Sequence, residues 1–107
     1  MTIRNLLLAL PFVLAPSIAL AQATIMSLER ANITGSWKCQ GKCQVPGGGA
    51  KIETPANSAT VICTNEVGQI SVGVFATVSS ISCWGLNGRI SEDVKAIDWG
   101  NQTQWVR

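Results

Sequence analysis

The chain contains no histidine and no tyrosine, and six acidic residues among 107. The first absence removes the commonest general base and the usual orienter of a nucleophilic serine or cysteine. The acids are Glu29, Glu53, Glu66, Glu92, Asp93 and Asp98. Glu92 and Asp93 are adjacent in a turn-like stretch, where neighbouring side chains diverge. A glycosidase-type pair needs two carboxylates about 5–10 Å apart across a cleft; only Glu66 and Asp98 are candidates, and only if folding happens to bring them together. The expectation is a protein that is not an enzyme, needs no cofactor and holds no metal. Charge is scarce as well: the formal balance is +2 and charged residues make up 13%. Without a basic patch, neither nucleic acid nor an anionic membrane gains electrostatic support as a partner.

One long apolar run is present, and it reads as an address. Arg4 precedes the run Leu6 to Leu20, and Ala21-Gln22-Ala23 supplies the small residues of a cleavage site. This is the three-part pattern of a secretory signal. At about 15 residues, with Pro11 and Pro16 inside it, the run falls short of a spanning helix. Residues 1–23 are therefore expected to be removed, and 24–107 to form a single small domain in a bacterial periplasm or the medium. No membrane partner is expected for the mature form.

A domain of that size buries only about 60% of the surface its unfolded chain exposes, so covalent staples are expected. Cys39, Cys43, Cys63 and Cys83 all lie in the exported part. An even count in a small exported chain reads as two disulfides with three possible connectivities. The favoured one is Cys39–Cys43, closing a short turn around Gly41, with Cys63–Cys83 tying distant strands for about 3 kcal/mol. A four-thiolate zinc site is the rival, and an oxidising compartment argues against it.

After a short lead-in, Thr24 to Asn32, in which Met26 to Ala31 has the composition of one or two helical turns, the helix signal disappears. Ile33 to Cys39 alternates with a period of two and reads as a strand. Gln44 to Ala50, with Pro46 and three glycines, reads as a loop. Further strands are expected over 51–54, 59–64, 70–76, 78–84, 89–91, 95–99 and 102–106. Turns are expected at Asn65 to Gly68, at Asn87-Gly88, at Glu92-Asp93 and at Gly100-Asn101, the last as a type II′ hairpin. Seven or eight short strands with turns about every 8–12 residues describe an all-β domain, a small antiparallel barrel or meander stapled by disulfides.

Four tryptophans, Trp37, Trp84, Trp99 and Trp105, are a heavy aromatic load for such a domain. They are either core or a binding surface. As core, Trp99 and Trp105 sit where cross-strand pairing would stabilise a hairpin. As a surface, Trp84, Trp99 and Trp105 would stack on a sugar, with Asn101, Asn87 and Gln104 as hydrogen-bonding partners. The sequons Asn32-Ile33-Thr34 and Asn101-Gln102-Thr103 are expected to be unmodified in a bacterial protein. Gly47-Gly48-Gly49 does not lie between a strand and a helix, so it is no phosphate loop.

Gly35-Ser36-Trp37 opens the first strand and Arg107 ends the last. This resembles the calycin group, the lipocalins, avidins and their relatives. The resemblance implies a barrel in which Trp37 packs at one end beneath Arg107 in a cation–π contact. With so short a chain, side chains rather than a large ligand are expected to fill the interior. The tail Ile97-Asp98-Trp99-Gly100-Asn101-Gln102-Thr103-Gln104-Trp105-Val106-Arg107 is similar to the ending of small exported bacterial β proteins. The signal, the Gly-x-Trp and the lead-in also resemble periplasmic inhibitors of secreted zinc proteases. That second resemblance implies that Thr24, Ile25 and Met26 enter a protease cleft. The function expected is thus a non-catalytic binding module for a protein, small-molecule or sugar partner, with protease inhibition and carbohydrate binding as the specific alternatives.

Overall fold

The computed structural model describes residues 30–107. They form eight antiparallel strands and, among the described residues, no helix: β1 (Gly35–Gly41), β2 (Gly49–Glu53), β3 (Thr60–Thr64), β4 (Ile70–Thr77), β5 (Ser80–Cys83), β6 (Leu86–Ile90), β7 (Ala96–Asp98) and β8 (Thr103–Val106). Each pairs with the next in sequence, and β8 pairs back onto β1, with Cys39 opposite Trp105, so the sheet closes into a barrel with no free edge.

Eight strands enclose an interior just wide enough for side chains. Trp37 and Cys39 from β1, Ile52, Val61, Cys63, Phe75, Ile81, Cys83, Ile97 and Trp105 fill it, following the period-two alternation of each strand. β4 keeps the alternation but turns its branched residues outward. Ile70 and Val72 are 66% and 70% exposed, while Ser71 and Gly73 pair with Cys63 and Val61 of β3. The cause is room: a Cβ on Gly73 would overlap the Ser82 carbonyl oxygen and come within 2.8 Å of Cys83 Sγ.

Two expected turns move. Asn87 and Gly88 lie inside β6, and the β5–β6 reversal is made by Trp84 and Gly85, at φ 53° and 70°. Positive φ at both central residues is the hairpin turn whose twist matches the strands. Gly88 serves packing instead, because a Cβ there would stand 2.8 Å from the Trp99 ring. The β7–β8 connection is longer than a two-residue type II′ turn: Trp99 N donates to Thr103 O, and both Gly100 and Gln102 have positive φ. The Asn65–Gly68 turn forms where expected, with Gly68 N donating to Asn65 O at 3.0 Å.

One end of the barrel is plugged. Trp37, 1% exposed, donates from Nε1 to Ile33 O at 2.9 Å. Arg107 lies over its ring at 4.3 Å and donates to Asn32 O and Val94 O. The cation–π cap expected from the Gly-x-Trp opening and the terminal arginine is therefore formed. Arg30 works similarly, over the Phe75 ring at 4.7 Å and donating to Ser58 O. Cys39 and Cys43 form the expected disulfide. Cys63 and Cys83, expected as the second disulfide, are both buried and unbonded in this structure.

Replacing Trp37 with alanine opens a cavity at this plug and should cost about 3–5 kcal/mol in urea unfolding. Arg107→Ala should cost about 1–2 kcal/mol, through the lost cation–π contact and two carbonyl hydrogen bonds. An Arg107→Ala midpoint equal to that of the parent would show that the cap contributes nothing.

Candidate functional site

The other end of the barrel is open. The β1–β2, β3–β4, β5–β6 and β7–β8 connections meet there, around a cavity of about 200 Å³. Its apolar side consists of Trp84, Trp99, Trp105, Leu86 and the Cys39–Cys43 disulfide. Its polar side carries Lys42, Gln44, Asn65, Glu66, Gln69, Asn101 and Thr103.

The three indoles form one edge-to-face cluster. Trp99 and Trp105 are 5.0 Å apart between ring centres, and Trp84 stands 6.1 Å from each. Such geometry places the positive edge of one ring on the negative face of the next. Trp99 and Trp105 are buried, at 4% and 3% exposure, and Trp84 at 36% is the one that reaches the surface. The cluster thus divides the two readings of the tryptophans: Trp37, Trp99 and Trp105 are core, and Trp84 offers itself to solvent. A platform of two coplanar exposed rings is not formed. The Trp99 Nε1–H is buried without an acceptor, a state that costs about 1–3 kcal/mol unless a partner is supplied.

The loops that carry the polar side are held in place. Asn65 Oδ1 accepts from Val67 N and Gln69 N, and its amide donates to Gln69 Oε1 at 2.8 Å. Glu66 accepts from Gln44 N at 2.9 Å, tying the β3–β4 turn to the β1–β2 loop. Lys42 N donates to Gln102 O, and Gly41 lies so close to that carbonyl that a Cβ would overlap it. Trp84 N donates to Ser71 Oγ at 2.9 Å, which anchors the turn bearing the exposed ring.

Of the residues singled out from sequence, Trp84, Trp99, Trp105 and Asn101 come together around this cavity. Asn87 and Gln104 do not line it: both are exposed on strands flanking inward-facing neighbours. Asn65 and Gln69 escaped the sequence reading, and Glu66 entered it only as one half of a possible carboxylate pair. Asn65-Glu66-Val67-Gly68 was legible as a turn, but nothing local says that this turn faces the tryptophans. Glu66 lines the cavity and Asp98 lines a separate groove with Gln40 and Gln102. Ligand atoms of Cys39, Cys43 and Glu66 lie within 4.8 Å of one another, but the two sulfurs are bonded to each other and are not available as thiolates. Thr24, Ile25 and Met26 lie outside the described residues.

No protein-family model matches this chain, and no curated protein and no solved structure matches it.

If Gly88 is the clearance that lets Trp99 lie flat against β6, Gly88→Ala should destabilise by about 1–3 kcal/mol through overpacking and weaken the near-ultraviolet circular dichroism of the indoles. An unchanged aromatic spectrum would refute that role.

Proposed function

We propose that this protein is a small exported, non-catalytic binding module. Its site is the open end of the barrel, and its ligand is a neutral, polyhydroxylated ring of the carbohydrate class. The observation that carries this reading is the meeting of one exposed indole, Trp84, with a rim of amides, Asn65, Gln69 and Asn101, over a cavity of about 200 Å³.

The chemistry follows from those parts. An indole face takes the C–H face of a sugar, and carboxamides supply both donors and acceptors to hydroxyl groups. Lys42 and Glu66 oppose each other in charge at the rim, so a charged ligand gains no net attraction. The cavity is smaller than the roughly 300–1,000 Å³ of a drug-sized pocket, which fits a single ring. Pinned loops keep the ordering cost of binding low. The absence of histidine, and the separation of Glu66 from Asp98, favour binding over catalysis. Export rests on the signal-like residues 1–23. The plug of Trp37 and Arg107 is in keeping with the calycin resemblance.

The test is a titration of the purified protein with a panel of neutral mono- and oligosaccharides, read by tryptophan fluorescence and calorimetry. A saturable change is expected. It should be lost in Trp84→Ala, with the far-ultraviolet spectrum retained and stability lowered by about 1–3 kcal/mol for the two edge-to-face contacts the ring makes. Silence across the panel, or binding that survives Trp84→Ala, would reject the reading.

A further inference from the structure

Cys63 on β3 and Cys83 on β5 belong to strands that do not pair with each other; both pair with β4. On a flat sheet, strands flanking a common neighbour are about 9.5 Å apart, beyond the roughly 4.4–6.8 Å between Cα atoms that a disulfide spans. Yet the two sulfurs lie 2.7 Å apart, inside van der Waals contact. Two features make the approach possible. Both side chains point to the concave face of a tightly curved barrel. And β4 presents Gly73 beneath them, where any Cβ would crowd Cys83 Sγ. A glycine exposed to so much β-branched company has no local reason to be in this strand; clearance for the sulfurs supplies one.

Both cysteines stand directly beneath the open end. Asn65 and Glu66 follow Cys63 by two and three residues, and Trp84 follows Cys83 immediately. Ser71, the β4 partner of Cys63, accepts the hydrogen bond from Trp84 N. The sulfurs thus join the bases of the amide wall and the indole wall of the cavity.

We propose that Cys63 and Cys83 close into a second disulfide that straddles β4, and that this bridge sets the spacing between the Asn65–Gln69 turn and Trp84. Two S–H bonds break and one S–S bond forms. The two electrons reduce the disulfide of an exported thiol oxidant, whose sulfurs take up the two protons. Because both sulfurs are buried, exchange occurs while the barrel is still opening and closing during folding, and the finished bridge is shielded from external thiols. The consequence for ligand binding rests on the open end being the binding site; the bridge and its effect on the loops do not.

The test needs no ligand. Exported protein, purified without reductant, is denatured and treated with N-ethylmaleimide. No adduct is expected by intact mass, and adducts on all four cysteines are expected after reduction. Adducts on Cys63 and Cys83 in the unreduced sample would overturn the bridge. Hydrogen exchange is then compared between the oxidised parent and the doubly substituted Cys63→Ala, Cys83→Ala chain. Exchange over 64–69 and 84–86 should accelerate by roughly tenfold, with 32–37 and 94–96 unchanged, as local opening requires. No change at the open end, or equal acceleration at both ends, would overturn the coupling. If the double variant does not fold, Cys63→Ser and Cys83→Ser are compared singly by the same exchange measurement, with the same two outcomes deciding. Either failure leaves the saccharide titration to judge the binding site by itself.

Discussion

A barrel of eight strands, each three to eight residues long, encloses very little space, and the rest of the molecule follows from that scarcity. At several of the tightest points a glycine provides the clearance. Gly88 yields to the Trp99 ring, Gly73 to Cys83 and the Ser82 carbonyl, and Gly41 to the Gln102 carbonyl. Gly73 and Gly88 lie within strands, not in turns. Gly88 and Gly73 let an indole and a sulfur occupy volume that larger residues at those positions would take.

The same scarcity separates the two ends. At one end Trp37, Ile33 and Phe75 are buried and covered by Arg107 and Arg30, whose guanidinium groups spend their donors on backbone carbonyls. Arg107 and Arg30 thus cover that end. At the other, the ring cluster fills the mouth almost to the surface. Its last member, Trp84, projects from a turn of positive φ, and an indole N–H is left buried without an acceptor. The exposed ring and the border of amides both lie at this end.

Much of the strand pattern was legible in the residues themselves. Period-two alternation marks β1, β3 and β4, and the Asn65–Gly68 turn announces itself by its asparagine and glycine. The Cys39–Cys43 disulfide also forms as its close spacing leads one to expect. Failures occurred where local chemistry and packing compete. Asn87-Gly88 carries the strongest hairpin signal in the chain, yet the reversal falls at Trp84-Gly85, because Gly88 is needed opposite Trp99. Ile70, Val72 and Val74 make an apolar stripe that would ordinarily face inward. It faces solvent, because Gly73 and Ser71 must occupy the narrow side next to the sulfurs. Neither reversal leaves a trace in neighbouring residues, since the groups that force them come from strands distant in sequence.

From the residues alone come the all-β class, the strand count and the recognition that four tryptophans need explaining. These are determined locally, by alternation, turn chemistry and composition, which act over a few residues at a time. Tertiary structure alone decided which tryptophans are core and which one is presented, that the amides of the β3–β4 turn face them, and that the strand between Cys63 and Cys83, whose pairing was expected from sequence, is β4 with Gly73 beneath the sulfurs. Those outcomes depend on closure, because only when β8 returns to β1 do curvature and register determine which side chains share the confined interior.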